Sequence, residues 1–426
     1  MINNLRALHQ VMHDRKLARS KLDKVIHKRL KEVLVSAYLH VPYYRESMQS
    51  AGYNPNQDYS GSQDLGLLPV TTKVTIKEAG IQAFLNENAD LLNCFSDTTS
   101  GSTGIPLRLY QSSYGRAIHI ARWLRVLFVN GYSIHDKVMA LVNPKRLSVG
   151  RSSIQKLGVF RRLVVNYILS PEEQVDILLD YKPDVLYGNC SLLDLMALEL
   201  EKRRIQPKNL KLVIGTGNVI HNISRQLCYK NFGVELTESY GSVEMGVMAY
   251  ETPAYDGLHL CEDLTYFEFL DEEGNAVPPG QPGRVVVTDL TGKVMPLIRY
   301  DHKDLAVFAD GDNKSDANPR RLLRVIGREI DYVLLPEGAR LTAWHLDSIL
   351  CKYENIKQFC SVYKAPNLIQ VQIVADHIYV LSIRESLMSR LKKMIPPKIK
   401  IEIVQVDRIE SDPGGKFRTL IAEKEK

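Results

Sequence analysis

An alternation of helix-type and short apolar segments between residues 172 and 248 constrains the fold of this chain most strongly. Helical patterns at 172–181, 191–203 and 220–232 are interleaved with apolar segments at 184–187, 211–214 and 234–239. This order is typical of crossover units, which build a largely parallel sheet. Ligands of such sheets bind beyond the carboxyl ends of the strands. We therefore expect a binding site at the small, polar loops predicted at 188–191, 215–218 and 240–244.

The segments on either side predict further layers. Apolar residues at three- and four-residue spacings make 14–38 an amphipathic helix, whose basic face is either solvated or in contact with a membrane surface. Glycine and proline punctuate strand-like segments at 258–309. The C-terminal part combines predicted helices with predicted strands: helices at 343–353 and 385–394, strands at 369–374, 378–384 and 399–405.

The predicted fold class is α/β in two domains. A large N-terminal domain, residues 1–326, has mainly parallel α/β layers and a β-rich subdomain at about 258–309. A small α+β domain follows at residues 327–426. A chain of 426 residues is long enough for two such domains of unequal size.

Composition excludes several classes of function. The net charge of +6 is mild and no nucleic-acid motif is present, so we expect no nucleic-acid partner. No apolar segment has the length of a membrane-spanning helix, and the first residues lack the layout of a secretion signal. Six scattered cysteines form no Cys-x-x-Cys pair, which argues against a disulfide framework or a zinc site. We expect a cytoplasmic protein.

A cluster of hydroxyl and glycine residues between Thr98 and Pro106 predicts a site for phosphate. Glycine allows backbone conformations in which successive N–H groups point into one concavity, and such a nest suits phosphate oxygens. The segment lacks the Gly-Lys-Ser/Thr ending of a P-loop NTPase. The alternative is an ordinary surface loop, because clusters of Gly, Ser and Thr usually mark loops.

Four segments resemble, in order and spacing, the motifs of the adenylate-forming superfamily, which includes acyl-CoA synthetases, luciferases and adenylation domains. They are 99–106 (Thr-Ser-Gly-Ser-Thr-Gly-Ile-Pro), 240–244 (Tyr-Gly-Ser-Val-Glu), 299–304 with 326–328 (Arg-Tyr-Asp-His-Lys-Asp and Ile-Gly-Arg), and 415–416 (Gly-Lys). Three more segments look like its phenylacetate-CoA ligase branch, with its CapK relatives linked to capsular polysaccharide synthesis: 41–45, 68–73 and 296–300. The resemblance covers nearly the whole chain.

The resemblance implies binding of ATP and Mg²⁺ and attack of a carboxylate on the α-phosphate. Lys416, Glu244 and Thr103 would be catalytic, and Glu244 with Thr99 would hold Mg²⁺, a cation that prefers oxygen ligands. Tyr240 would lie against adenine, Asp304 would accept both ribose hydroxyls, and Arg328 would reach the ribose or phosphate. The complete set of implied nucleotide-binding residues is Thr99, Ser100, Gly101, Ser102, Thr103, Gly104, Tyr240, Gly241, Ser242, Asp304 and Arg328.

Structural alternatives exist for these residues. Glu244 and Arg328 are otherwise surface residues, Tyr240 a core aromatic residue, Asp304 a turn former and Lys416 part of a basic tail. The chain also departs from the superfamily pattern in three places: Ile330 stands where an aspartate of the domain hinge is common, Asn218 where glutamate is common, and His302-Lys303 where Thr-Gly is common. His259 and Cys261 lack further cysteines nearby, so we predict no zinc site.

Three hypotheses for the function follow. The first is a ligase that forms an acyl-AMP, releases pyrophosphate and transfers the acyl group to coenzyme A, a carrier thiol, or a sugar amine or hydroxyl. The second is a nucleotidyltransferase that leaves AMP on its acceptor, and the third is a non-catalytic nucleotide-binding protein. The pocket for a smallish, partly polar acid would include Asn189, Cys190, Gly217, Asn218 and Met245. A homodimer is the expected assembly.

Overall fold

The structure is a computed structural model that describes residues 2–99, 107–142, 153–309, 320–328, 332–334, 340–342, 346, 349–350, 352–353, 355–364, 367–409 and 419–423. Its α-helices within these ranges are α1 (Ile2–Asp14), α2 (Arg19–His40), α3 (Pro42–Ser50), α4 (Lys73–Ala79), α5 (Ser113–Val129), α6 (Ser153–Lys156), α7 (Pro171–Tyr181), α8 (Cys190–Arg203), α9 (Asn222–Phe232) and α10 (His377–Lys392).

The β-strands of the same ranges are β1 (Phe95–Thr98), β2 (Arg108–Gln111), β3 (Val138–Val142), β4 (Arg162–Asn166), β5 (Val185–Asn189), β6 (Leu212–Thr216), β7 (Leu236–Ser242), β8 (Gly246–Tyr250), β9 (Leu258–Leu260), β10 (Thr265–Leu270), β11 (Pro282–Asp289), β12 (Tyr300–Ala309), β13 (Arg321–Arg328), β14 (Tyr332–Leu334), β15 (Arg340–Thr342), β16 (Gln358–Lys364), β17 (Leu368–Val374), β18 (Lys400–Gln405) and β19 (Leu420–Glu423). The α/β fold class that the sequence predicts is confirmed.

The chain forms two compact units, each made of two segments. The first unit contains Met1–Gly131 and Ser239–Val325, and the second contains Tyr132–Glu238 and Ile326–Lys426. None of the helices within the described ranges is long and apolar enough to cross a membrane.

The first unit combines N-terminal helices with a sheet in the order β10-β11-β12-β13-β9-β8-β7. In this sheet β10 pairs antiparallel with β11, β11 with β12, and β8 with both β7 and β9. The predicted amphipathic helix is confirmed as α2, because its apolar face (Leu22, Ile26, Leu30, Val33, Leu34 and Ala37) is buried in the core of this unit. The helix ends before Pro42, which takes the first turn of α3, where its missing N–H costs nothing.

The second unit contains the parallel sheet that the alternation predicts. Strand β3 pairs in parallel with β4 and β5, and β5 pairs in parallel with β6. Its C-terminal segment adds a four-stranded sheet in the order β18-β17-β16-β19, with α10 between β17 and β18 in the chain. Side chains of this segment form an apolar core that also includes Ile223 of α9.

Two local predictions are wrong. Residues 378–384 belong to helix α10, although their aliphatic and β-branched side chains suggested a strand. Asp376 caps this helix by accepting hydrogen bonds from the N–H groups of Ile378 and Tyr379, and Val380, Ile383, Leu387 and Leu391 are buried at helical spacing. The predicted loops at 188–191, 215–218 and 240–244 likewise begin inside strands β5, β6 and β7.

Candidate functional site

Tyr240 and Asp304 lie in direct contact in the first unit. Tyr240 is on β7 and Asp304 is on β12, and the Tyr240 hydroxyl donates a hydrogen bond of 2.7 Å to Oδ2 of Asp304. Both side chains are half-buried. The two residues to which the resemblance assigns adenine and ribose are therefore joined by a charge-assisted hydrogen bond, which fixes the position of the carboxylate.

The hairpin between β7 and β8 presents the segment that carries Tyr240 and Glu244. Gly241 lies at a register shift of this hairpin, and a side chain there would place Cβ 2.4 Å from the carbonyl oxygen of Gly246. Only glycine allows this close approach of two backbones. In the turn, the N–H of Met245 donates to Oγ of Ser242 at 3.1 Å, and the Met245 side chain is fully buried in the core of the first unit.

Glu244 is held as a buried anion by three neighbours. Its Oε1 lies 2.9 Å from Nζ of Lys73 and accepts a hydrogen bond of 3.3 Å from the Tyr300 hydroxyl. Burial alone raises the pKa of Glu244, but the positive charges of His302 and Lys73 outweigh it and lower the pKa to about 2. Glu244 is thus ionised at any physiological pH, as a ligand of a cation has to be.

The segment before α4 brings Lys73 to Glu244. Thr71 forms an isolated parallel bridge with Tyr300: its N–H donates to the carbonyl of Arg299 at 2.8 Å, and its carbonyl accepts from the N–H of Asp301 at 2.9 Å. Thr72 then caps α4 by accepting a hydrogen bond of 3.1 Å from the N–H of Thr75. Lys73 is the first residue of this helix, so the bridge and the cap fix where its side chain starts.

The superfamily motifs assign no role to Lys73, Tyr300 or His302. Lys73 and Tyr300 lie in the segments 68–73 and 296–300, which resemble the phenylacetate-CoA ligase branch, and His302 is a departure from the superfamily pattern. The signal that could have found them is the resemblance itself, because both branch-type segments converge on Glu244.

A small cavity lies beside Glu244. Its volume is about 30 Å³, and its polar lining includes Gln111, His119, Asp289 and Lys293. A polar cavity of this size holds roughly two water molecules. Among the described residues no group of three or more His, Cys, Asp and Glu side chains is placed to hold a metal ion.

Thr99, at the start of the hydroxyl- and glycine-rich segment, forms two hydrogen bonds with Leu107. Its N–H donates to the carbonyl of Leu107 at 3.0 Å, and its Oγ1 accepts from the N–H of Leu107 at 2.9 Å. The side chain is buried. The other predicted phosphate residues (Ser100, Gly101, Ser102, Thr103 and Gly104) and the catalytic candidate Lys416 lie outside the described residues. Arg328 ends β13, and its side chain is also outside them.

The predicted acid-pocket residues of the second unit lie at the carboxyl ends of β5 and β6. Oδ1 of Asn189 accepts a hydrogen bond of 3.0 Å from the N–H of Ser191, which caps α8. Gly217 has φ +84, and a Cβ there would come within 2.6 Å of Nδ2 of Asn189. Cys190 is buried, and burial raises the pKa of its thiol well above the usual range. Asn218 follows Gly217 in the same turn.

A buried polar cluster lies between α8 and α9 next to Cys190. The Ser224 hydroxyl donates to Oδ2 of Asp194 at 2.8 Å, and the Cys228 thiol lies 3.9 Å from Oδ1. Burial raises the pKa of Asp194 to about 7, although the hydrogen bonds from Ser224 and Cys228 partly oppose this rise. Asp194 is therefore largely protonated below neutral pH.

Comparisons with known proteins agree with the motifs. Residues 333–423 match the family described as the CapK C-terminal domain. The chain is 27% identical over 352 residues to a phenylacetate-coenzyme A ligase of Aromatoleum evansii, covering 76% of this chain and 74% of that protein. It is 24% identical over 454 residues to a phenylacetate-coenzyme A ligase of Thermus thermophilus, covering 95% and 97%.

Solved structures show the same fold. A crystal structure of 2-hydroxyisobutyryl-CoA ligase, in the postadenylation state with 2-HIB-AMP, superposes with a TM-score of 0.80 at 20% identity, covering 96% of this chain and 91% of that one. Fold, sequence relatives and motifs point to the same group of proteins. The chain is thus similar in sequence to phenylacetate-coenzyme A ligases, and it has the fold of an acyl-CoA ligase.

Proposed function

We propose that this protein is an ATP-dependent ligase that activates a carboxylic acid as acyl-AMP, releases pyrophosphate and passes the acyl group to an acceptor. The observation that carries the proposal is the 2.7 Å hydrogen bond between Tyr240 and Asp304, which joins two motifs from distant parts of the chain. The relatives named phenylacetate-coenzyme A ligases support the class of enzyme and make coenzyme A the first acceptor to test.

Tyr240 and Asp304 would hold the nucleoside. The Tyr240 ring offers a flat apolar face to adenine, while its hydroxyl keeps the Asp304 carboxylate in place. An ionised carboxylate has lone pairs enough to accept from both ribose hydroxyls and from the tyrosine. Gly241 and Ser242 would form the backbone turn between the adenine side and Glu244.

The residues around Glu244 suit a magnesium ion. Mg²⁺ binds to proteins through one or two carboxylates and keeps several waters together with substrate phosphates. Glu244 supplies one ionised carboxylate, and the adjoining cavity has room for water. Thr99 would be the second protein ligand. When bound, the cation would neutralise charge on the phosphates.

Lys73 gives the site a cation of its own. In this structure it balances the charge of Glu244 at 2.9 Å. A cation that arrives at Glu244 would repel the ammonium group, and the nearby phosphates would attract it. Charge develops on phosphate oxygens during adenylation, so positioned cations account for most of the catalysis. Lys416, Arg328 and the segment 99–104 would add further donors, and Lys416 would approach the α-phosphate from a mobile C-terminal domain, residues 327–426.

The acyl group would enter cell-surface polysaccharide synthesis, with a sugar amine, a sugar hydroxyl or a carrier thiol as alternatives to coenzyme A. The match of residues 333–423 to the CapK C-terminal domain supports this role. The enzyme would act in the cytoplasm, as a homodimer.

The test is acid-dependent release of pyrophosphate from ATP over a panel of aryl, hydroxy, oxo and amino acids. We expect release with at least one acid, and a thioester, ester or amide once the acceptor is supplied. Tyr240→Phe keeps the ring and removes the hydrogen bond, so it should raise the KM for ATP by about 3- to 10-fold. Asp304→Ala and Lys416→Ala should reduce activity far more, whereas Tyr266→Phe is a matched control in the same unit.

Two outcomes would contradict the proposal. A stable product that carries AMP on its acceptor, with no acyl transfer, would favour a nucleotidyltransferase. ATP binding without pyrophosphate release for any acid would favour a non-catalytic nucleotide-binding protein.

A further inference from the structure

The positive charge of the chain is concentrated in one short segment of the first unit. Residues 15–31 carry eight Lys and Arg side chains and one Asp side chain, a net charge of +7, whereas the whole chain carries +6. All other residues together therefore carry a net charge of −1. The segment comprises the turn before α2 and the first half of this helix, whose apolar face is buried in the core.

Two of the eight cations are compensated inside the protein. Arg19 lies 2.7 Å from Glu262 and 2.8 Å from Asp23, and Arg29 lies 2.6 Å from Asp14. The other six are exposed and form no ion pair with any residue that the structure describes. They are Arg15, Lys16, Lys21, Lys24, Lys28 and Lys31.

Four of these six residues form a line along α2, here called the lysine stripe: Lys21, Lys24, Lys28 and Lys31. Their spacings of three, four and three residues place them within about 80° of one another around the helix and over a length of about 15 Å. The stripe lies on the side of α2 opposite the buried apolar face. The same side continues to Leu39, which is 47% exposed.

The lysine stripe is not an ordinary solvated helix face. Like charges three and four positions apart repel each other and destabilise a helix, and the stripe consists of three such pairs. Exposed lysines elsewhere are compensated by carboxylates, among them Lys202, Lys211, Lys230 and Lys400. The repulsion within the stripe would be relieved by a surface that carries negative charge at many points.

We infer that the lysine stripe attaches the exposed side of α2 to a membrane surface that contains anionic phospholipids. Clusters of four to eight Lys and Arg on an amphipathic helix are typical of binding to anionic lipid headgroups. The protein would lie on the membrane without crossing it, with Leu39 at the boundary between headgroups and acyl chains. This inference goes beyond the proposed ligase reaction, and its test needs neither ATP nor an acid.

The composition of this side favours lipid over nucleic acid. Lysine is a flexible point charge, which suits a fluid array of headgroups. Proteins that bind single-stranded nucleic acid add aromatic rings on which the bases stack. The ring of Tyr59 beside Lys31 is half-buried, and its hydroxyl donates to the carbonyl of His27 at 3.1 Å. The exposed Leu39 gains from contact with a membrane and nothing from a soluble polyanion.

The charge sets the size of the effect. Each lysine that reaches an anionic surface raises the binding constant about fivefold. The exposed carboxylate of Glu32 lies on the same side and offsets about one of the four lysines. We therefore expect the protein to bind anionic vesicles about 100-fold more tightly than neutral ones. The preference should fall steeply with salt, because the Debye length is about 10 Å at 0.1 M and shorter above it.

The experiment measures co-sedimentation of the full-length protein with vesicles. One set of vesicles is pure phosphatidylcholine, and the other contains about 30% phosphatidylglycerol, an anionic lipid. Both are used at about 0.1 M and about 0.5 M salt. We expect binding to the anionic vesicles at the lower salt concentration only.

Three variants locate the binding surface. The stripe variant is Lys21→Gln, Lys24→Gln, Lys28→Gln and Lys31→Gln, and it should lower the partition constant about 100-fold or more. Glutamine and lysine have similar helix propensities, so α2 should remain folded, which far-UV circular dichroism checks. Arginine at the same four positions keeps the charge and should keep the binding.

The control variant makes the same change of net charge in the second unit, and its binding should stay within about threefold of wild type. It replaces four exposed lysines: Lys208→Gln, Lys352→Gln, Lys392→Gln and Lys393→Gln.

Three results would overturn the inference. The first is an absence of binding to anionic vesicles at about 0.1 M salt. The second is an equal loss of binding in the stripe and control variants, which would show that overall charge acts and not the stripe. The third is stripe-dependent binding to a DNA duplex or to heparin without binding to vesicles, which would identify a soluble polyanion as the partner.

Discussion

Nζ of Lys73 lies 2.9 Å from Oε1 of Glu244, and both side chains are largely buried. The pair joins the first turn of α4 to the turn that follows β7. Removing one partner of a buried ion pair leaves the other charge uncompensated, which is costly even where the intact pair itself adds little net stability. The ion pair between Lys73 and Glu244 therefore affects the free energy of unfolding, which can be measured without substrate.

Lys73→Met should lower the free energy of unfolding at pH 7 by about 2–3 kcal/mol, since Glu244 then keeps its charge in a buried position with one cation fewer. Chemical denaturation measures this change. Lys77→Met on the same helix removes an exposed lysine and should change the free energy by less than about 0.5 kcal/mol. An equal effect of the two substitutions would show that the pair is not formed in solution.

The depressed pKa of Glu244 predicts a stability change in acid. Its folded-state pKa of about 2 lies below the ordinary value of 4.5, so the folded state holds the carboxylate ionised more strongly than the unfolded state does. The resulting stability is fully present above about pH 4.5 and is lost as the pH falls toward about 2. A shift of this size corresponds to about 3 kcal/mol.

Glu244→Gln should remove this part of the acid dependence. The measurement is the free energy of unfolding between pH 2 and pH 7 for wild type, Glu244→Gln and the exposed control Glu78→Gln. Wild type and Glu78→Gln should share one acid slope, and Glu244→Gln should have a shallower one. Identical slopes for all three would mean that the pKa of Glu244 is not depressed.

Local sequence patterns predicted the helices and strands more reliably than they predicted contacts between residues that are distant in the chain. The alternation of apolar and helical segments correctly gave α7, β5, α8, β6 and α9, because each pattern is set by residues close together in the chain. Residues 378–384 failed because side-chain type favoured a strand, while the helix depends on the cap at Asp376 and on the spacing of its buried residues.

The environment of Glu244 could not be predicted from the sequence. The motif identified Glu244 itself, but its pairing with Lys73 requires the bridge between Thr71 and Tyr300, which joins segments more than two hundred residues apart. Such a contact leaves no periodic signal in the sequence. The contact between Tyr240 and Asp304 was implied only indirectly, because each residue was assigned to a different part of the same nucleotide.

Gly241 has a structural role in addition to its place in the nucleotide motif. Gly241→Ala should destabilise the protein by about 2–4 kcal/mol, because its Cβ would lie 2.4 Å from the carbonyl oxygen of Gly246 and 3.0 Å from Cα of Val247. Gly66→Ala is the matched control, since no atom lies within 4 Å of the Cβ it adds. Thermal or chemical unfolding should separate the two variants, and similar midpoints would contradict the close approach of β7 and β8.

Asp194 predicts a pH effect of opposite sign in the second unit. Its folded-state pKa of about 7 lies above the ordinary value of 3.8, so the unfolded chain releases the proton at a lower pH than the folded chain does. Stability from this group is therefore present below about pH 4 and is lost as the pH rises toward 7, by at most about 4 kcal/mol.

Asp194→Asn cannot ionise, so its stability relative to wild type should increase between pH 4 and pH 8. Urea unfolding at pH 4, 6 and 8 tests this trend, with Asp180→Asn as an exposed control on α7 that should run parallel to wild type. A constant difference between Asp194→Asn and wild type across this range would show that Asp194 is ionised in the folded protein at every pH tested.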